Sequence, residues 1–195
     1  MAKLADALAL GASAQKAWRF KSSPQHQKNM SEELLSLVDE NDKIIGTHLR
    51  NSESYLKKKN FRVINAFIQN SKGELWIPRR TAHKKLFPLA LDVSIGGHVT
   101  HGDTYEETLI KEASEEVNLD LNKIPYELLG YLNPHKYNLS AFMKVYLIKS
   151  DEVPNFNTDD FVEYYWMKPE ALIEKINSGE KAKGDLPTLV KIFFS

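Results

Sequence analysis

GGHVTHGDTYEETLIKEASEEVNLDL, residues 96–121, sets two glycines at the end of an apolar run, a short polar loop behind them, and then a helix. Thr104 followed three residues later by Glu107 is a capping-box pattern, in which each side chain satisfies the other residue's free backbone N–H. Gly102 and Asp103 supply the turn ahead of it. At about 100° per residue, Tyr105, Leu109, Ala113 and Val117 form one apolar stripe. Glu112, Glu115 and Glu116 stand at i, i+3 and i+4, which gathers three carboxylates on one side of the helix. Glu112 and Glu115 flank the stripe and Glu116 falls inside it. A carboxylate facing the core needs a partner or a metal, so the spacing points to a divalent cation.

Working outward, the chain reads as mixed α/β. Leu34–Val38 and Lys43–Thr47 flank a DEND turn as a short hairpin. Phe61–Gln69 and Glu74–Arg79, joined through Ser71, Lys72 and Gly73, form a second hairpin. Ala90–Ile95 is expected as a short strand running into the glycines. Tyr126–Leu132, Ala141–Lys149 and Val162–Met167 are rich in β-branched and aromatic residues and read as strands. His135–Asn138 reads as a hairpin turn. Pro169 opens a helix through about Asn177, with Glu170 in its first turn, and Leu186–Phe194 is a last, apolar helix.

Composition narrows the function classes. The 195 residues suffice for one sizeable core. Twenty-six basic and 26 acidic residues cancel, so no global field favours nucleic acid or an anionic membrane. The absence of cysteine excludes disulfides, thiolate metal sites and cysteine nucleophiles. No apolar run approaches the roughly 18 residues of a membrane span, and a cytoplasmic protein is expected. Residues 1–29 differ from the rest, with five Lys/Arg against one acidic residue. They suit a transit peptide, an amphipathic helix with a linker, or a spurious stretch of translated tRNA gene. The expected organisation is a disordered or spurious extension at 1–29 and a single domain over 30–195.

The 96–121 segment resembles the Nudix box, G-x5-E-x7-R-E-U-x-E-E-x-G-U with U aliphatic. Gly97 matches its first glycine, Glu112 the helix glutamate, Glu115 and Glu116 the acidic pair, and Leu119 the closing aliphatic. Asp103, Lys111 and Asn118 replace the first glutamate, the arginine and the later glycine. Asp103 and Lys111 keep the charge signs of a pair that locks loop to helix in the family, although lysine lacks arginine's fork. Asn118 is a frequent substitute for glycine at a left-handed helix exit. The DEND turn, LWIPRRTAHKKLFP and LDVSIGGHV are similar to Nudix proteins related to isopentenyl-diphosphate isomerase. The active-site cysteine of that isomerase has no counterpart here.

The resemblance implies an α/β/α sandwich around a central mixed sheet, and Mg²⁺ (or Mn²⁺) held by Glu112, Glu115, Glu116 and the Gly97 carbonyl. It also implies an extra acid before a tryptophan-containing strand, where Asp160 and Glu163 precede Trp166. One of Glu115, Asp160 and Glu163 then serves as general base. Arg79 and Arg80, at a strand end, suit the phosphates of a substrate, and His98 stands close enough in sequence to join them. The expected reaction is Mg²⁺-dependent hydrolysis of a pyrophosphate bond in a nucleoside diphosphate derivative or other organic diphosphate. The alternatives are isopentenyl-diphosphate isomerase-like activity and a non-catalytic binding module. The expected partner is a small-molecule diphosphate, with neither nucleic acid nor membrane, and a homodimer stays open.

Overall fold

The computed structural model describes residues 33–50 and 60–195. The extension at 1–29 lies outside the described residues. Among the described residues there are eight strands: β1 (Leu34–Val38), β2 (Ile44–Leu49), β3 (Arg62–Gln69), β4 (Leu75–Arg80), β5 (Ile95–His98), β6 (Tyr126–Leu132), β7 (Phe142–Lys149) and β8 (Phe161–Met167). The helices are α1 (Tyr105–Val117), α2 (Pro134–Tyr137), α3 (Pro169–Asn177) and α4 (Leu186–Phe194).

β3 is the axis of the sheet. Its run RVINAFIQ carries apolar side chains toward both faces, as suits a strand covered on both sides. One edge pairs in parallel with β7 from Arg62 to Gln69. The other edge is divided: Val63–Ala66 pair with β5, and Gln69 pairs with Leu75 of β4. β4 therefore splays away from β3 beyond the hairpin. The Ser94 hydroxyl bridges the splay, accepting from Ile68 N–H at 2.8 Å and donating to the Trp76 carbonyl at 2.6 Å. The full order is β6-β7-β3-β4-β8, with β5 beside β3, and every pairing except β3–β7 is antiparallel.

Each face has its own core. On one, Tyr105, Leu109, Ala113 and Val117 of α1 pack on Ile64, Ala66, Ile68, Trp76 and Ile148. On the other, Leu172 of α3 and Leu186, Leu189 and Val190 of α4 pack on Phe67, Leu75, Ile77 and Val145. Side chains as fully buried as Leu109 and Val117 contribute about 1.5–3 kcal/mol each. The three-layer α/β/α arrangement around a mixed sheet is the one expected.

Two readings need correction. The strand expected at Ala90–Ile95 begins only at Ile95 and contains the glycines themselves. Before it, residues 90–92 touch β4 at a single antiparallel bridge, Arg80 N–H donating to the Ala90 carbonyl and Asp92 N–H to the Pro78 carbonyl, and Leu91 bridges Ala182 on its other side; pairing with β3 begins only at Ile95. The His135–Asn138 turn is a short helix with Pro134 at its first position, closed by Asn138 at φ 52°. β1 and β2 form a separate two-stranded sheet. Asp42 in its turn holds it down, accepting from Arg62 Nε at 2.7 Å and from the Tyr105 hydroxyl at 3.2 Å.

Candidate active site

α1 carries the acidic residues, and its geometry follows from its caps. The Thr104 hydroxyl accepts from Glu107 N–H at 3.1 Å, and the Glu107 carboxylate accepts from Thr104 N–H at 2.8 Å, a complete capping box. At the other end Asn118 adopts the left-handed conformation, φ 53° and ψ 34°, as the sequence suggests. Its side-chain amide donates to the Asn155 carbonyl, and Asn157 N–H donates to the Glu116 carbonyl at 2.8 Å. The 154–160 loop is thereby fastened to the last turn of α1, which brings Asp160 toward Glu116. Asp103 and Lys111 form no ion pair. That lock is missing, and the capping box sets the start of the helix instead.

Glu112 and Glu116 face β5. Gly97 lies so close to Glu112 that a Cβ there would overlap its side chain. Gly96 N–H donates to Glu116 Oε2 at 3.0 Å. Burial, with repulsion from Glu115, pushes the Glu112 carboxyl up to about 7. Burial and the neighbouring Glu112 hold the Glu116 carboxyl well above the carboxylate range. The Gly96 bond offsets part of this, and Asp160 and Asp92 add to it. No hydrogen bond or ion pair among the described residues reaches the Glu112 carboxylate. Crowded acids short of counter-charge are the donor set a hard divalent cation takes, so the residues fit the implied metal. Glu115 is exposed, and among the described residues no three His, Asp or Glu side chains converge on one point. A full shell therefore requires rotation of Glu115, backbone oxygen such as the Gly97 carbonyl, or water.

The remaining expected residues separate. Asp160 pairs with Lys84 and stays within electrostatic reach of Glu116. Glu163 turns elsewhere: it accepts from the Tyr165 hydroxyl at 2.6 Å and pairs with Arg79, which lowers its pKa. Arg79 spends four of its five N–H donors, on Glu163, the Leu89 carbonyl, Glu180 and the Tyr165 hydroxyl. It fastens β4, β8 and the C-terminal segment, and little of it is left for a phosphate. Arg80 donates to Asp92 at 2.6 Å and to the Leu86 carbonyl at 3.3 Å. His98 is half-buried and stacked on Phe61, ring centroids 5.4 Å apart. Burial, with Arg50 and Lys183 nearby, keeps it neutral well below its ordinary range.

Two groups beside the site had no sequence signal. Asp92 is 4% exposed, accepts from Arg80 and from Val93 N–H, and forms an ion pair with Lys183 at 3.2 Å. Lys183 is 87 residues from Gly96 in the chain, and only the tertiary fold sets it beside that glycine.

The NUDIX domain family model matches residues 59–187. An uncharacterized Nudix hydrolase of Nostoc sp. is 55% identical over 164 residues, covering 84% of this chain and 96% of that one. The crystal structure of DR0079 from Deinococcus radiodurans superposes with a TM-score of 0.81 at 45% identity, covering 84% of this chain and all of that one. At greater distance, an isopentenyl-diphosphate Delta-isomerase of Salmonella heidelberg is 25% identical over 141 residues, 70% of this chain and 78% of that one. The chain belongs to the Nudix family. It is a Nudix hydrolase, an enzyme acting on pyrophosphate bonds. Among the described residues no helix is long and apolar enough to cross a membrane.

Proposed function

We propose that the protein hydrolyses the pyrophosphate bond of a nucleoside diphosphate derivative or other small organic diphosphate, with Mg²⁺ (or Mn²⁺) as cofactor. The observation that carries this reading is the pair Glu112 and Glu116, two carboxylates forced together against the bare Gly96–Gly97 strand inside a Nudix domain. When bound, the cation neutralises phosphate charge and makes the attacking water more acidic. Glu112, Glu116 and the Gly97 carbonyl would hold it, with Glu115 turning in from its exposed position.

A general base completes the reaction. Glu115, Asp160 and Glu163 are the candidates, and what each is bound to ranks them. Asp160 reaches Glu116 electrostatically and gives up only a lysine contact. Glu163 would have to break from both Arg79 and Tyr165. Asp160 is therefore preferred, with Glu115 next. Isomerisation is the second reading, favoured by the distant isomerase relative; the absence of cysteine argues against it.

The full chain, incubated with Mg²⁺ and a broad diphosphate panel, is expected to release phosphate or a monophosphate. Glu116→Gln is expected to abolish that release. No turnover of any compound by the wild-type chain would end the hydrolytic reading. Isomer formed from isopentenyl diphosphate would replace it.

A further inference from the structure

Glu116 and Asp160 ride on different parts of the sheet. Glu116 belongs to α1, whose apolar stripe packs on Ile64, Ala66 and Ile68 of β3 and on Ile95 of β5. Asp160 precedes β8 and is bound to the segment leaving β4. Thr81 N–H donates to the Asp160 carbonyl at 3.0 Å, and the Thr81 hydroxyl donates to the Asp159 carbonyl at 3.2 Å. β3 and β4 pair only at Gln69 and Leu75, so no ladder between them sets how the acid ahead of β8 stands to the acid on α1. Trp76 and Phe161 reach the α1 core from β4 and β8, but apolar burial has no direction and does not aim a neighbouring carboxylate. Directional bonds to the last turn of α1 come from the 154–160 loop.

Two hydrogen bonds tie that loop to the helix. Asn157 N–H donates to the Glu116 carbonyl at 2.8 Å, and the Asn118 side-chain amide donates to the Asn155 carbonyl, 37 residues away. Asn157 passes the constraint on. Its carbonyl accepts from Asp160 N–H and from Phe161 N–H, each at 3.0 Å, and its side chain accepts from Asp159 N–H at 3.0 Å. Between the two tied residues, the Phe156 ring lies 5.8 Å from that of Trp76 and 5.7 Å from that of Tyr164. The Asn118 bond is particular to this chain, because the resembled box has glycine at that position and glycine has no amide to give. The left-handed turn alone would be served at least as well by glycine. The side chain therefore does something that the turn does not require.

We propose that Asn118 is a positioning residue, whose amide holds the 154–160 loop against the last turn of α1 and so keeps the Asp160 carboxylate beside Glu116, placed to take the proton of the attacking water. The inference rests on the hydrolytic reading with Asp160 as base, and deepens it. Asn118 touches neither substrate nor metal and acts through the loop. Releasing the loop leaves Glu112, Glu116 and the substrate contacts as they are. The loss then falls on kcat and not on KM, since a base displaced by about an ångström transfers protons poorly while binding is kept.

The test compares the full chain with Asn118→Gly, which keeps the left-handed exit and removes the amide, and with Asn118→Asp, which keeps the shape and cannot donate to a carbonyl. Kinetics use Mg²⁺ and the diphosphate of the panel that wild type cleaves fastest. In both variants kcat is expected to fall about tenfold, with KM nearly unchanged. The melting temperature of Asn118→Gly, and its rise with Mg²⁺, should stay close to those of wild type. Hydrogen exchange at the Asn157 amide, which reports the tie without any turnover, is expected to quicken about fivefold or more. A wild-type kcat in Asn118→Gly, a rise in KM in place of the fall in kcat, or an Asn157 amide that exchanges as in wild type would overturn the proposal. Faster Asn157 exchange in the variants of a chain that cleaves no diphosphate would keep Asn118 as the tie that places Asp160 and remove the hydrolytic reading alone.

Discussion

Gly97 and Glu112 stand face to face across the junction of β5 and α1, with no room between them for even one methyl group. The glycine is kept bare by a carboxylate, not by a turn. Gly97→Ala is expected to push Glu112 off its position and to cost about 1–3 kcal/mol of stability through overpacking. Chemical denaturation measures the cost, and metal-dependent activity should fall with it. Unchanged activity and stability would mean that Glu112 has somewhere else to go.

Glu116 predicts opposite effects on stability and on metal response. Its carboxylate is buried beside Glu112, so Glu116→Gln relieves repulsion and is expected to leave the metal-free protein as stable as wild type, or more so. Wild type should gain about 2.7 kcal/mol when Mg²⁺ is at roughly a hundred times its Kd. The variant should gain almost none. Thermal melts with Mg²⁺ and with a chelator provide the comparison, and equal shifts in both proteins would take Glu116 out of the metal shell.

Arg79 is predicted to matter for stability rather than for substrate. Its contacts with Glu163, Glu180, Tyr165 and the Leu89 carbonyl tie three segments together. Arg79→Gln leaves Glu163 without its cation and Glu180 with Lys175 alone, and should cost roughly 1–3 kcal/mol. KM for a diphosphate should barely move. A large rise in KM at unchanged stability would return Arg79 to the substrate site.

Glu180 sets a pH dependence. Hydrogen bonding from Arg79 at 2.9 Å holds its carboxyl down at about 2, against an ordinary value of 4.5. A carboxylate with a lowered folded pKa stabilises above its unfolded pKa and loses that contribution as pH falls through the folded one. The contribution should be complete at neutral pH, shrink below about 4.5 and vanish near about 2. Melting temperatures of wild type and Glu180→Gln, followed through that window, should converge toward its acidic end. Parallel curves would show that the pair contributes nothing.

Thr104 tests the cap that replaces the missing Asp103–Lys111 lock. Thr104→Ala removes the acceptor of the Glu107 N–H and should cost about 1 kcal/mol, lowering Tm by roughly 2–4 °C in a domain of this size. A two-state melt is sufficient to measure it.

The sequence by itself determined what depends on near neighbours. The capping box, the Tyr105–Val117 stripe, the left-handed exit at Asn118 and the bounds of α3 and α4 all follow from hydrogen bonds and side-chain periodicities spanning a few residues. The glutamates of α1 were legible for the same reason, since helical spacing alone places them together. Tertiary structure decided everything that depends on which distant segments meet. It drew Arg79 to Glu180, 101 residues away. It started β5 at Ile95, where pairing with β3 begins, and it set Lys183 against Gly96 by pairing 181–183 with Leu91. An ion pair or a bridge between strands carries no mark in local sequence. Its energy arises only when chain closure brings both partners out of water together.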